Sequence, residues 1–259
     1  MVINDEGWIA TADHIVDHWK NISEARQQVR DIQSKRAEIE RDSALSNTQK
    51  RKALGNFIIN KDAPDEISIW WGGLGQGAST PVAIAQFIRL PTVDAAVGKL
   101  YPFDPAWISG YPTIKDPNKD YAPGVGLCKL GFPLQQITPT WNVAKSAFEF
   151  PPDALPMPLF PVEGILTRFC DVVVPDAPPP PFRLAWIETS TPGLRGQSGG
   201  PIFDEQGTIW GMQVRTHSYP LGFKTGTSEQ YLNVGLGVHA ATLVGFLSDV
   251  GIKFKLSPY

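Results

Sequence analysis

The sequence has few cysteines and no long apolar run, and each scarcity excludes a class of protein. Two cysteines in 259 residues are too few for the disulfide framework of a small secreted domain. No stretch approaches the roughly 18 uncharged apolar residues that cross a bilayer, and the N-terminus lacks the basic and apolar pattern of a signal peptide. We therefore expect no membrane span, and the missing signal favours a cytoplasmic location.

Charge is also scarce, because 19% of the residues are charged and the net charge is −3. Such a chain exerts no global electrostatic attraction on nucleic acid. We expect no nucleic-acid partner. Cys128 and Cys170 can form at most one bridge, and two free thiols are the favoured state.

Glycine and proline are abundant at 24 residues each, which predicts frequent turns, few long helices and an all-β fold. We predict an N-terminal β unit over 1–150, a Pro-rich linker over 151–161, and a C-terminal β unit over 162–259 that ends in a helix. Runs of β-forming residues stand at 8–12, 67–71, 82–90, 95–100, 125–130, 164–174, 182–189, 208–215 and 231–238.

Residues 19–55, here called the helical insertion, differ sharply from the rest of the chain. Apolar residues such as Ile22, Val29 and Ile32 recur at helical spacings between charged residues, which predicts an amphipathic helix. Residues 43–47 interrupt it, and a second helix starts with Ser46 or Asn47 as its cap and stops at Gly55. The apolar stripe is a buried face of a solvated elaboration or a docking surface for a second copy or a regulatory partner.

A serine stands among glycines in the run from Gly196 to Pro201, which reads Gly-Gln-Ser-Gly-Gly-Pro. Glycines leave room for an acyl group to approach Ser198 and let backbone amides point at an oxyanion. The run therefore suggests a nucleophile. A glycine-rich hairpin without chemistry is the alternative.

This run resembles the G-x-S-G-G-P signature of the chymotrypsin-like (trypsin-like) serine proteases, in the form found in bacterial trypsin-like peptidase domains. The family carries a histidine in a T-A-x-H turn and an aspartate ahead of an apolar strand, and residues 11–14 and 94–100 match both. The order His14, Asp94, Ser198 is that of chymotrypsin. Residues 130–133 and 235–239 resemble further family segments.

The resemblance implies two antiparallel β-barrels with a catalytic cleft between them, and the helical insertion accounts for the long interval between His14 and Asp94. It implies a serine endopeptidase that acts on proteins or peptides. Ser198 is then the nucleophile, His14 the general base, and Asp94 the residue that orients the histidine. The backbone amides of Gly196 and Ser198 form the oxyanion hole, and no metal or cofactor is needed.

The resemblance also implies which residues bind substrate. Pro192 and Gly193 lie near the specificity pocket, and the backbone of Val214, Arg215 and Thr216 pairs with the substrate as an added strand. Nothing near Pro192 supplies the buried acid that selects lysine or arginine, so a tryptic preference is not expected.

Three features depart from the family pattern. Gln197 replaces an aspartate that pairs with a new N-terminus in digestive members, so activation by that ion pair is not expected. Asp13 stands where the family has a small residue, and we expect its side chain to face solvent. Only thirteen residues precede His14, so we expect a truncated first barrel.

A catalytically silent protease-fold binding or regulatory protein is therefore the alternative function.

Two other motifs offer rival chemistry. His14 and His18 stand four residues apart with an acid beside the second, as in inverted zinc-protease motifs, but no third ligand is evident. The glycines of 72–77 suggest a dinucleotide loop, yet a strand and not a helix follows them. His217 and His239 either approach the specificity pocket or occupy ordinary turn and core positions.

Overall fold

The computed structural model describes residues 1–57, 82–119, 121–132, 140–142, 147–149, 151, 159–174, 180–225 and 228–258. The predicted strand at 67–71, the glycine-rich run at 72–77 and most of the linker at 151–161 lie outside these ranges. The described chain is mostly β with few helices. None of its helices is both long and apolar enough to cross a membrane.

The chain divides into two compact units. One is Val16–Ile69, whose described part is helical. The other combines Met1–Ile15 with Trp70–Tyr259 and contains all the described strands.

Two helices confirm the predicted helical insertion. Helix α1 spans Asp13–Arg41 and helix α2 spans Asn47–Leu54. Ser46 is the N-cap of α2, because its hydroxyl accepts a hydrogen bond from the backbone of Gln49 while the Gln49 side chain returns to the Ser46 backbone. Helix α1 starts earlier than the predicted residue 19, so His14 lies in its first turn.

The predicted docking stripe lies along α1. Val29 and Ile32 are half-buried, and the side chain of Ile22 lies outside the described residues. A partner for this stripe therefore stays a prediction.

Three N-terminal strands form an antiparallel sheet in the order β1-β3-β2. Their bounds are Trp8–Ala12 for β1, Ala83–Leu90 for β2 and Ala95–Tyr101 for β3. The register aligns Ala12 of β1 and Leu90 of β2 with Ala95 of β3. This register brings the start of α1, which carries His14, beside the β2–β3 connection, which carries Asp94.

The remaining strands build a larger sheet and one hairpin. They are β4 Thr113–Ile114, β5 Gly126–Gly131, β6 Thr140–Asn142, β7 Ala147–Glu149, β8 Phe160–Asp171, β9 Ala185–Thr189, β10 Pro201–Phe203, β11 Ile209–Thr225, β12 Ser228–His239 and β13 Lys255–Leu256. Strands β6 and β7 pair only with each other among the described residues. In the larger sheet the order is β10-β5-β8-β9-β12-β11, and β10 also pairs with β11. These six strands therefore close into a ring, in which each strand pairs with a neighbour on both sides.

Strand β5 lies in the ring and not in the small N-terminal sheet. The sequence predicts it in the N-terminal unit, whereas the structure pairs it with β8 and β10 of the ring. Periodicity shows which residues of a strand face inward, but a strand's partners depend on pairing across long stretches of chain. The mostly β fold is confirmed. Two distinct barrels are not confirmed, because the described strands β1, β2 and β3 form an open sheet of three.

Apolar residues fill the ring and the space beside it. Every second residue of a strand faces the same side, so the inward positions of the ring meet in one cluster, which comprises Leu127, Leu166, Ile187, Ile202 and Trp210. A larger cluster joins β1 and β3 to β11, β12 and the C-terminal helix α3, Ala240–Asp249. The small sheet and the ring therefore share a core, which holds His14 and Asp94 in place relative to the ring.

His239 caps the predicted C-terminal helix, which the structure confirms. Its Nδ1 accepts a hydrogen bond of 2.9 Å from Ala241 N, and its ring packs against Tyr121 and Phe169 with ring centres 4.6 and 4.8 Å away. Burial lowers the pKa of His239 from 6.5 to about 4. The histidine is thus a neutral cap at neutral pH.

We expect His239 to make the protein sensitive to acid. Between pH 6.5 and 4 the unfolded chain binds a proton at this residue and the folded chain does not, so stability falls as pH falls through that window. The loss approaches roughly 3 kcal/mol. Urea unfolding at pH 7 and pH 4.5 measures it. In His239→Asn, which keeps a capping acceptor, the difference between the two pH values should shrink, and an unchanged difference would contradict this origin.

Candidate active site

His14 and Asp94 form a close pair. His14 Nδ1 lies 3.1 and 3.0 Å from Asp94 Oδ1 and Oδ2, and the His14 backbone N donates a 2.9 Å bond to Oδ1. A carboxylate held by both the ring and the main chain of one histidine has little freedom to turn away. Because Nδ1 faces Asp94, Nε2 is the nitrogen left to exchange a proton with a substrate or a nucleophile.

The local backbone explains how Asp94 reaches this position. A 3₁₀ turn, Pro91–Val93, ends β2, and Asp94 follows it with φ 55° and ψ 43°. Aspartate is one of the few residues other than glycine that adopt this left-handed conformation. The turn directs the carboxylate toward α1, and the Asp94 carbonyl also accepts a 3.1 Å bond from Asp13 N.

Asp13 does not face solvent, so the expectation for this residue is wrong. It is 5% exposed, and its two carboxylate oxygens accept bonds of 2.6 and 2.8 Å from Nε and Nη2 of Arg89. The bidentate pairing compensates for burial of the carboxylate. Asp13 thereby ties the first turn of α1 to β2, directly before His14.

The loop around Ser198 packs against the end of β1. A Cβ on Gly199, whose φ is +80°, would lie 2.7 Å from Thr11 Oγ1 and 3.2 Å from Ala12 N. No larger residue fits this close approach, which explains a glycine directly after the serine. Because Thr11 and Ala12 lead straight into His14, the packing brings Ser198 to the same end of the small sheet as the histidine.

The loop leaves two amides available. The Gly196 carbonyl accepts a 2.9 Å bond from Phe132 N, and Gln197 N donates to Leu194 O at 2.9 Å. Within the described part of the chain, neither Gly196 N nor Ser198 N donates to a protein acceptor. Two free N–H groups that flank Gln197 are what an oxyanion hole requires. Gln197 itself is buried and accepts a 2.9 Å bond from Leu194 N, so it braces the loop from within.

The Ser198 hydroxyl donates a 3.3 Å bond to the carbonyl of Val214. Its hydrogen is therefore turned toward β11. A rotation about one side-chain bond is needed before the hydroxyl can donate to a base.

The predicted substrate-binding residues lie along β11 and the loop before Ser198. Arg215 and Thr216 pair with Leu236 and Gly235 of β12. No described strand pairs with the other edge of β11 beyond Met212, so that edge can accept an added strand. The Arg215 guanidinium lies 4.4 Å from the centre of the Trp186 ring, which holds it to one side of this edge.

Lys129 belongs to the site, although the sequence analysis does not single it out. It is fully buried inside the ring, and its Nζ donates to Thr189 Oγ1, Thr191 O and Pro192 O at 3.2, 2.5 and 3.0 Å. Burial lowers the pKa of Lys129 to about 8. Its inward position in β5 is the signal that could identify it, because a lysine there replaces a core residue.

An apolar cavity of about 530 Å³ borders Ser198. Its lining combines β1, β3 and the serine loop, including Ile9, Leu100, Phe132, Ser198 and Pro201. Ser198 therefore both lines this cavity and contacts β11 through Val214 O.

The described residues give no support to the alternative zinc site or to a role for His217 or His239 in the specificity pocket. Among the described residues no three histidine, cysteine or acidic side chains converge on one point, and the side chain of His18 lies outside them. Both cysteines are free thiols, as predicted. His217 packs against Tyr219, with ring centres 4.3 Å apart, and His239 caps α3.

No protein-family model matches the sequence, and no curated protein matches it. Several solved structures are similar to this chain. One is the active form of the Rv3671c protease from M. tuberculosis, with TM-score 0.42, 15% identity, and 70% of this chain and 63% of that chain covered.

Two further similar structures are also proteases. The inactive form of the Rv3671c protease has TM-score 0.39 and 16% identity, and the match covers 67% of this chain and 69% of that one. The apo MamO protease domain from Magnetospirillum magneticum has TM-score 0.35 and 15% identity, with 64% and 67% covered.

Proposed function

We propose that this chain is a serine endopeptidase that hydrolyses peptide bonds through His14, Asp94 and Ser198. The observation that carries the proposal is the pairing of both Asp94 oxygens with His14 Nδ1, at 3.0 and 3.1 Å. An aspartate in this place selects one imidazole tautomer and stabilises the charged ring that forms during acyl transfer. The close packing of the serine loop on the residues before His14 supports the same reading.

In this reaction the peptide lies with its acyl side along the free edge of Val214–Thr216. Ser198 Oγ attacks the carbonyl carbon while its proton passes to His14 Nε2. The amides of Gly196 and Ser198 then bind the oxyanion. His14 returns the proton to the leaving amine, and the acyl-enzyme is hydrolysed by water that His14 activates in turn. Two barrels with the cleft between them are the architecture that this proposal implies.

A catalytically silent protein that binds peptides in the same cleft is the second candidate. The observation that favours it is the bond from Ser198 Oγ to Val214 O. A serine whose hydroxyl stays with that carbonyl has no base to activate it. The two candidates differ in whether Ser198 reacts.

A fluorophosphonate probe separates them. We expect the wild-type protein to gain the mass of one probe group, and Ser198→Ala to gain none. Ser218→Ala is the matched control, because Ser218 is an exposed serine on β11 and its loss should leave labelling intact. Labelling should also be indifferent to EDTA, since the mechanism uses no metal.

The other outcomes are equally informative. A folded wild-type protein that does not react contradicts the endopeptidase and favours the silent binding protein. Labelling that persists in Ser198→Ala places the reactive group elsewhere. Labelling that EDTA abolishes contradicts the proposed triad mechanism.

A further inference from the structure

The proposed function implies a specificity pocket between two segments near Ser198, and a hydrogen bond joins these segments to each other. One wall is Pro192–Gly193 and the other is Gln213–Thr216, here called the specificity pocket walls. Thr216 Oγ1 donates a 2.6 Å hydrogen bond to Gly193 O, across the space between the walls. The bond closes the outer part of that space, where a long substrate side chain would enter.

Gln213 fills the inner part. Its side chain is 1% exposed and its Nε2 donates to Arg215 O and Leu236 O at 2.7 and 3.1 Å. A Cβ placed on Gly193 would overlap Nε2 and lie 2.8 Å from Cδ of Gln213. The amide of Gln213 therefore lies directly against the Gly193 backbone, with two carbonyls holding it there.

Lys129 closes the base. Its three ammonium donors face three oxygen acceptors, among them Pro192 O, so no donor remains for a substrate carboxylate. A Cβ on Gly235 would lie only 2.9 Å from Lys129 Nζ. Lys129 thus fills the space beside Gly235 and has no free hydrogen-bond donor to offer.

We infer that the specificity pocket admits only a small side chain, namely that of glycine, alanine or serine, on the acyl side of the bond that is cut. The inference rests on the proposed function for the orientation of the substrate. Thr216 and Gln213 set the limit by occupying the volume that a large side chain would need. An acidic side chain finds no hydrogen-bond donor at the base, because all three donors of Lys129 face protein acceptors.

Tripeptide anilides test the limit, because only one bond in each releases the chromophore. The series is acetyl-Ala-Ala-X-anilide with X as glycine, alanine, serine, leucine, phenylalanine, glutamate or arginine. For the wild-type protein we expect kcat/KM with alanine or serine to exceed that with phenylalanine by about 100-fold or more. A preference for phenylalanine, glutamate or arginine overturns the inference.

Two variants connect the preference to the named side chains. Thr216→Gly removes the cross-wall bond and the bulk from an exposed position, and it should raise the phenylalanine-to-alanine ratio of kcat/KM by about tenfold. Thr216→Val keeps the branched bulk without the hydroxyl and should raise that ratio less. Gln213→Ala should act in the same direction as Thr216→Gly. An unchanged ratio in both Thr216→Gly and Gln213→Ala overturns the inference.

A binding measurement separates this inference from the proposed function. The same anilides are titrated calorimetrically into Ser198→Ala, which cannot turn them over. Tighter binding of the alanine and serine compounds supports a small pocket even if the fluorophosphonate probe shows that the wild-type serine is inert. Equal binding across the series, tighter binding of the large compounds, or no binding of any of them overturns the inference.

Discussion

Asp94→Asn is expected to lower kcat/KM by about 10³- to 10⁴-fold while the protein stays folded. In the native pair both Asp94 oxygens face His14 Nδ1, and Oδ1 also accepts the His14 backbone N–H. An asparagine offers one oxygen and one NH₂ group in the same place. If the oxygen keeps the backbone bond, the NH₂ group faces Nδ1 and forces the ring into the tautomer that carries its hydrogen on Nε2. That tautomer cannot accept the proton of Ser198.

The kinetic signature separates orientation from damage to the fold. We expect the loss in kcat with little change in KM, and a matching loss in the rate of fluorophosphonate labelling, measured beside the melting temperature. Asp249→Asn is the control, because Asp249 is exposed at the end of α3. An Asp94→Asn protein within a few-fold of wild-type activity would show that His14 acts without this carboxylate.

Gly200→Ala is expected to disrupt the serine loop and cost about 3 kcal/mol of stability. A Cβ at this position would overlap Leu130 O of β5 and lie 2.9 Å from Gln197 O. Both obstacles are backbone atoms of hydrogen-bonded segments, so no side chain can rotate away to make room. The loop must move, and a displacement of about 1 Å at Ser198 lowers the rate on the order of 100-fold.

Gly126→Ala is the matched control for this prediction. A Cβ there meets nothing within 4 Å, although Gly126 lies in β5, the strand against which Gly200 packs. Urea unfolding and labelling rate measured on both variants give the comparison. Equal stability of the two variants, with full labelling in Gly200→Ala, would contradict the close contact between β5 and the serine loop.

The sequence predicts the local features of this molecule well. Ser46 caps α2, the strand at residues 95–100 follows Asp94, and a helix, α3, follows β12. Each is determined by neighbouring residues through capping geometry or periodicity. The motifs around His14, Asp94 and Ser198 name the candidate triad because the three patterns are specific as a set.

The misjudged residues depend on partners far away in the sequence. Asp13 looks like a surface carboxylate until Arg89, on a distant strand, is found to pair with it. Lys129 stands in an apolar strand, and its three oxygen acceptors all lie in a later part of the chain. Such side-chain pairing depends on the tertiary fold, so the periodicity of the sequence does not predict it.

The closure of the ring affects how the protein folds. Strand β10 follows the serine loop directly and must dock on β5, which is made much earlier. Such non-local contacts form slowly, because the entropy of a long loop is lost before any pairing compensates for it. The bond from Phe132 to Gly196 that orients the loop spans the same junction. A half-folded chain in which β10 has not yet docked on β5 therefore lacks the contact that holds the serine loop in place.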